Sequence, residues 1–394
     1  LTIIAILAGL ATLVGWLIAG QSLSFTMERV VTVLVIACPH ALGLAIPLVT
    51  SISTTLGAKN GLLVKQRMAL ESARNINTVL FDKTGTLTKG EQSIIDVWAV
   101  NGENINNVLH TAASVEQTSE HALAKAILNA AKEKNIELDK PEQIKANAGH
   151  GVEGLLHGKN KVAVGWPRLL EVKQVQIPEE LKDRVNQANE DGKSVTYVLE
   201  DNFIVGAITV ADIIREESKQ AVRQLKNQGV KVAMITGDSE GVAAYVAQEL
   251  GLDTYFAEVL PEHKADKVKE LQKGGDKVAM VGDGVNDAPA LAQANLGIAI
   301  GAGTDVAIES AGIVLVRSNP LDIPKIIKLS KATYSKMWQN LIWATGYNVV
   351  AIPLAAGVLA GLGIILPPAI GAVLMSTSTI IVAANAQLLR KLKL

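Results

Sequence analysis

Asp82 is the residue in this sequence best placed to do chemistry. It follows Thr78-Val79-Leu80-Phe81, an apolar and β-branched run, and precedes Lys83-Thr84-Gly85-Thr86-Leu87-Thr88. That pattern predicts a buried parallel strand with a carboxylate at its C-terminal end, where open α/β sheets place their ligands. The turn residues after it can bend backbone and hydroxyls toward an anion. A carboxylate so placed can attack phosphorus and hold the phosphoryl group as an aspartyl phosphate. A lone aspartate after one strand is an ordinary turn or helix cap, so the reading rests on its company. Val230-Lys231-Val232-Ala233-Met234-Ile235 predicts a second buried strand and ends in Thr236-Gly237-Asp238, whose hydroxyl and backbone can hold phosphoryl oxygens. Val278-Ala279-Met280-Val281 predicts a third, ending in Gly282-Asp283-Gly284-Val285-Asn286-Asp287-Ala288-Pro289. Two aspartates there can hold Mg²⁺, a hard ion that takes oxygen ligands. Lys264, in Leu260-Pro261-Glu262-His263-Lys264, offers a fixed cation near the phosphate, although alone it would read as a surface lysine.

A second constellation is Cys38-Pro39-His40, inside an apolar stretch. Proline within a helix removes a backbone hydrogen bond and frees a carbonyl. Such breaks are tolerated in membranes where they line a cavity. A thiolate and an imidazole flanking the break supply two transition-metal ligands. Either residue alone would be packing. Together at membrane depth they point to ion binding. Both ligands suit copper, and zinc accepts both as well.

The elements that must position these groups follow from the distribution of charge. Of 394 residues 49% are hydrophobic, yet no charged residue occurs from Leu1 to Met27, from Val30 to Ala58, or from Met337 to Leu389. A membrane helix needs about 20 apolar residues. The last stretch is long enough for two, with Gly361-Leu362-Gly363 and Pro367-Pro368 as the turn. Four membrane helices are therefore expected, two before and two after a large polar segment. The first spans Thr2 to Gly20, and the second carries the Cys-Pro-His triplet within Val30 to Ala58. The third is broken by Pro353. Lys59, Lys65 and Arg67 follow the second helix, Lys325, Lys328, Lys331 and Lys336 precede the third, and Arg390, Lys391 and Lys393 follow the fourth. The connection after the first helix has only Arg29, beside Glu28. The positive-inside rule then puts the polar segment and the C-terminus in the cytoplasm. The net charge of -1 gives no footing for nucleic acid. The single cysteine excludes an intrachain disulfide. The sequence begins inside an apolar run without a basic n-region, which reads as the start of a fragment and not a signal peptide.

The two octapeptides Phe81 to Thr88 and Gly282 to Pro289, with Cys38-Pro39-His40 in the preceding helix, resemble the heavy-metal-transporting branch of P-type ATPases. The Cys-Pro-His form resembles the copper-exporting group. The order Asp82, Thr236, Lys264, Asp283/Asp287 is that of the haloacid-dehalogenase superfamily. The resemblance covers essentially the whole chain and implies an α/β class with membrane α-helices. The expected architecture is a Rossmann-type phosphorylation domain, an inserted α+β nucleotide-binding domain and four transmembrane helices. The boundaries are residues 1–58 (two transmembrane helices with the ion site), 59–92 (linker and first part of the phosphorylation domain), 93–205 (nucleotide domain), 206–324 (second part of the phosphorylation domain) and 325–394 (two transmembrane helices). It implies ATP held by Glu116, His121, Gly149 and Gly151, with Ala122 standing where the family has proline. It implies Mg²⁺ on Asp82, Asp283 and the Thr84 carbonyl, and phosphoryl transfer assisted by Lys83, Thr236, Gly237, Asp238, Lys264 and Asp287. It adds Tyr347, Asn348, Met375 and Ser376 to Cys38 and His40 as members of the transported-ion site. The implied setting is the lipid bilayer of a plasma, or inner, membrane.

The family hydrolyses its aspartyl phosphate with Thr-Gly-Glu on an actuator domain, and no such tripeptide occurs in this sequence. Nor is there a Cys-x-x-Cys module. The expectation is a chain that takes up phosphate but turns over poorly, with the actuator region missing or on another chain. Two alternatives stand beside copper export: zinc or silver transport by the same mechanism, and a membrane-tethered phosphatase. Phosphatases of this superfamily carry a second aspartate two residues after the nucleophile, and here that position is Thr84. A third, a non-enzymatic binding fragment, is opposed by the intact Asp82, Asp283 and Asp287.

Overall fold

The computed structural model describes residues 2–394 apart from Pro39, Asn101, Glu120, 148–150 and 302–303. The chain divides into two compact units, Leu1–Asn75 with Asp322–Leu394, and Ile76–Leu321. Its strands, in chain order, are β1 (Leu62–Val64), β2 (Thr78–Asp82), β3 (Thr88–Ala99), β4 (Glu142–Asn147), β5 (Gly151–Leu156), β6 (Asn160–Gly165), β7 (Ser194–Glu200), β8 (Phe203–Ile214), β9 (Lys231–Ile235), β10 (Thr254–Phe256), β11 (Val278–Gly282), β12 (Leu296–Ile300) and β13 (Ile313–Leu315).

Within Ile76–Leu321, six strands form a parallel array in the order β13-β12-β11-β2-β9-β10. Every residue of β2, β11 and β12 is buried. Near-continuous runs of Val, Ile, Leu and Ala are what a parallel sheet covered on both faces selects. Leu80, Ala233, Ile235, Val278 and Met280 pack in one cluster with Val268, Leu291 and Ala307 from the covering helices. Strand order reverses at β2, with β9 on one side and β11 on the other. Open α/β sheets bind their ligands at such a switch point. The register fixes what meets there. Phe81 pairs with Val281, and Asp82 pairs with Ile235. Asp82 is therefore level with Gly282, and Thr236 and Asp283 follow one residue beyond.

The inserted domain leaves this sheet on a two-stranded stem. β3 and β8 pair antiparallel, from Thr88 opposite Ile214 to Ala99 opposite Gly206. Both strands run unbroken through the expected boundaries at 92–93 and 205–206. The antiparallel sheet β3-β8-β7-β6-β5-β4 alternates its side chains between two cores. Val164, Val198 and Ile208 face the helices Ile105–Glu116 and Ala122–Glu133. Ala163, Tyr197 and Ala207 face the helices Pro167–Lys173 and Glu179–Glu190.

The other unit holds five main helices: Thr2–Ile18, Leu23–Ile36, His40–Lys59, Asp322–Ala356 and Pro368–Gln387. Small residues let them approach closely. Ala41 and Ala45 meet Ala344 and Val382, while Val33 and Ile36 meet Ala351 and Ala355. Asn340 donates to the Ala45 carbonyl at 3.2 Å and accepts from Asn385 at 2.8 Å. Two stretches among the described residues are long and apolar enough to cross a membrane, Leu23–Lys59 taken across its break, and Pro368–Lys391. The first helix is apolar but shorter. Ile3, Leu7, Leu10, Val14, Ile342, Trp343, Val349, Val373 and Ile380 are exposed, as side chains facing lipid are.

Three details of the sequence reading change. The second apolar helix begins at Leu23, not Val30, capped by Ser22, whose hydroxyl accepts from Phe25 N–H. Arg29 is therefore not in a connection. It is fully buried, donates to the Leu366 carbonyl at 2.6 Å, pairs with Glu28 and lies over the Phe25 ring. Internal pairing is what admits the charge. Pro353 lies inside the helix, which ends only at Ala356. Proline there forgoes its own bond to the Val349 carbonyl, and the helix continues for only three residues beyond it.

Candidate active site

The turn after β2 starts from Asp82 and contains Gly85 at φ 73°. A Cβ at Gly85 would overlap the Asp283 carboxylate, so glycine is required both by the backbone and by the neighbour. Arg215 holds the turn from outside, donating to the Gly85 carbonyl at 3.1 Å and the Thr88 carbonyl at 3.0 Å. Ser218 donates to the Leu87 carbonyl at 2.8 Å.

Inside the turn the charges are ordered. Lys264 Nζ donates to Asp82 Oδ1 at 2.5 Å and to Asp287 Oδ1 at 2.8 Å, and all three residues are buried. Asp287 also accepts from the Gly284 N–H at 3.2 Å. Carboxylate oxygens of Asp82, Asp283 and Asp287 lie within 4.8 Å of one another. Burial, and then the Asp287 charge, push the Asp82 carboxyl from 3.8 up to about 7, with Lys264 offsetting part of the rise. Burial and Asp287 likewise raise Asp283. Burial pulls on the Lys264 ammonium, but Asp82 and Asp287 outweigh it and hold its pKa above the ordinary value. Three carboxylates against one ammonium leave an excess of negative charge. A hard divalent cation fits such an oxygen set. Lys264 engages both Asp82 and Asp287, so Asp283 is the one of the three that the ammonium does not hold. Thr84 follows in the turn and is exposed.

Lys83 points to a different set of acids. Its Nζ is 2.6 Å from Asp212 Oδ2 and 3.0 Å from Asp238 Oδ2. Burial opposes its charge, and these partners overcome that and raise its pKa. Thr236 is buried and bonded through its hydroxyl to Asp238, whose own N–H donates back at 3.1 Å. Gly237 is exposed between them. The sequence reading assigned no role to Asp212, Arg215 or Ser218. The available signal was an Asp-x-x-Arg pair at the end of a strand.

In the inserted domain Glu116 ends its helix, buried, with Oε2 lacking a hydrogen-bond partner. Burial raises its pKa, partly offset by the Ser119 hydrogen bond and by His121. A buried acceptor without a donor fits a ligand N–H, as an adenine amino group would supply. His121 is exposed and precedes the helix Ala122–Glu133. Ala122 thus holds the first helical position, where proline is at home, and the helix starts there without it. Gly149 lies outside the described residues. Gly151 opens β5 at φ 137°, and a Cβ there would overlap the Val164 carbonyl. Its need for glycine comes from the neighbouring strand.

In the helical unit, Cys38 is half-buried in the break between Leu23–Ile36 and His40–Lys59, and His40, exposed, opens the second of these helices. Asn348 is buried, and the Tyr347 hydroxyl is buried without a hydrogen-bond partner. Met375 is half-buried. Ser376 is exposed and its hydroxyl returns to the Ala372 carbonyl at 3.0 Å, so the structure does not bring it inward.

Residues 76–295 match the family model described as haloacid dehalogenase-like hydrolase. The chain belongs to that family. Within it, the resemblance to P-type ATPases of the heavy-metal branch holds along nearly the whole chain. It is 53% identical over 392 residues to "Copper-exporting P-type ATPase B" of Archaeoglobus fulgidus, covering 99% of this chain and 56% of that protein. It is 46% identical over 383 residues to "Probable copper-transporting P-type ATPase B" of Staphylococcus aureus, covering 97% of this chain and 56% of that protein. The chain thus spans little more than half the length of these relatives. A zinc-transporting PIB-type ATPase in its E2.Pi state superposes with a TM-score of 0.86 at 32% identity, over 99% of this chain and 62% of that one. The catalytic domain of the CPx-ATPase CopB-B, described for its changes upon nucleotide binding, matches at 29% identity and a TM-score of 0.57, over 70% of this chain and 98% of that one.

Proposed function

We propose that this chain carries the phosphorylation, nucleotide and ion sites of an ATP-driven exporter of a heavy-metal ion, copper before zinc or silver. The observation that carries the reading is the Lys264 ammonium bridging Asp82 and Asp287 beside Asp283. An Asp82 oxygen attacks the γ-phosphorus of ATP, the bond from that phosphorus to the bridging oxygen breaks, and ADP leaves. Lys264 can turn from Asp82 to the phosphoryl oxygens while Asp287 holds it in place. Thr236 and the fixed Lys83 face the same sheet end and add donors and positive charge. Mg²⁺ on Asp82 and Asp283 would neutralise charge on the phosphates. Glu116, His121 and Gly151, with Gly149, are the residues proposed for the nucleotide.

Cys38 and His40, with Tyr347, Asn348 and Met375, are the residues proposed for the ion. The orphaned Tyr347 hydroxyl supports that set, and the copper relatives' higher identity supports copper over zinc. The proposed setting is a plasma membrane with the polar unit in the cytoplasm. Thr84, standing where phosphatases of this superfamily carry an acid, favours a persistent phosphoenzyme over simple hydrolysis. The test is ATP-dependent phosphorylation with Cu⁺, Cu²⁺ or Zn²⁺ present. Stimulation by one copper state that Cys38→Ser abolishes supports the reading, and label indifferent to every metal overturns the ion assignment.

A further inference from the structure

Away from the nucleotide residues, the inserted domain brings together two histidines and an aspartate that none of the chemistry above uses. His110 lies on the helix Ile105–Glu116, His157 on the turn between β5 and β6, and Asp139 on the segment before β4. The imidazole Nε2 atoms of His110 and His157 lie 3.2 and 3.0 Å from the same oxygen, Asp139 Oδ2. Asp139 is held by its backbone, its N–H donating to the Ser114 hydroxyl at 3.1 Å and its carbonyl accepting from Gln117 at 2.6 Å. Its carboxylate is therefore presented from a fixed point. His157 sits at φ 53°, a position where a turn ordinarily selects Asn, Asp or Gly. His110 and His157 also line a cavity of about 220 Å³, together with Glu103, Glu200 and Asn160. Among the described residues no lysine or arginine lines it. The cavity offers two carboxylates and two imidazoles. It lies at the opposite end of β5 from Gly151.

We propose that His110, His157 and Asp139 form a second metal site, for a borderline divalent ion, Zn²⁺ or Cu²⁺. Two imidazoles and a carboxylate match that class, and the absence of thiolate disfavours Cu⁺. The ion would take the Nε2 lone pairs of the two imidazoles, each keeping its proton on Nδ1, and the Asp139 oxygen that both now face. His157, 67% exposed, is free to swing onto it. The site is separate from Cys38 and would sense metal on the side of the polar domain.

The test uses the whole chain in detergent, carrying Cys38→Ser, with excess Mg²⁺ to occupy the aspartates. Zn²⁺ alone is titrated against a chromophoric chelator. One Zn²⁺ per chain should remain. His157→Asn, which suits the turn, should weaken it at least about tenfold, a loss at the scale that even outer ligand partners produce. Adding His110→Gln should abolish it, and Cu²⁺ in the unsubstituted site should show nitrogen hyperfine structure that the double variant lacks. Zn²⁺ binding unchanged after loss of both imidazoles, or no bound Zn²⁺ in the Cys38→Ser chain, overturns the proposal.

Discussion

Replacing Lys264 by methionine isolates what the ammonium does, because the side chain keeps its length and loses its charge. Lys264 is the partner of two buried carboxylates, at 2.5 Å from Asp82 and 2.8 Å from Asp287. Removing one member of a buried ionic group costs about 3–5 kcal/mol, since the other charges stay buried without compensation. The loss should depend on pH. Unfolded, the Asp82 carboxyl titrates near 3.8, and folded it titrates near about 7. Between those values the folded protein keeps a proton that the unfolded chain has shed, so stability falls as pH rises through that window. Lys264 restrains the rise, so Lys264→Met moves the folded value higher still. The variant should lose about 3–5 kcal/mol at pH 8 and less at pH 6, where Asp82 is protonated. Amide hydrogen exchange of β2 and β11 under increasing urea reads this unit alone. Asp287→Asn in the Lys264→Met background should restore stability by removing one stranded anion. A Lys264→Met protein as stable as the parent at pH 8, or a double variant less stable than the single one, refutes the reasoning.

The same excess of carboxylates predicts that Mg²⁺ raises the melting temperature more at pH 8 than at pH 5.5, because protonation of Asp82 competes with the ion; an equal rise at both values contradicts this. Gly85→Ala should abolish phosphorylation and cost about 1–2 kcal/mol or more, from the left-handed backbone and the collision with Asp283; the checks are denaturation and Mg²⁺ titration. Glu116→Gln turns an acceptor into a group that also donates. It should weaken ATP binding by about 1–3 kcal/mol in calorimetry while leaving Mg²⁺ binding unchanged.

Much of the phosphorylation domain was legible because each chemical group follows a strand of unmistakable type. Val79 to Phe81, Val232 to Ile235 and Val278 to Val281 are apolar throughout, and parallel pairing then brings their ends together. Asp212 and Arg215 were not legible as site residues. Their roles depend on how β8 returns beside β3, a non-local pairing that composition does not encode. The helical unit was read too simply. Uncharged length found the spans, but it could not place Arg29 inside a helix, since its acceptor, the Leu366 carbonyl, is distant in sequence. Ser376 shows the other limit. The family resemblance proposed it as a ligand, and helical phase turns it outward.

The most direct measurement is the transfer of label from γ-³²P-ATP to the chain with Mg²⁺, quenched in acid and mapped by peptide mass spectrometry. The account predicts acid-stable label on Asp82, absent in Asp82→Asn and strongly reduced in Lys264→Met. Label that persists in Asp82→Asn, or maps to another residue, would contradict it.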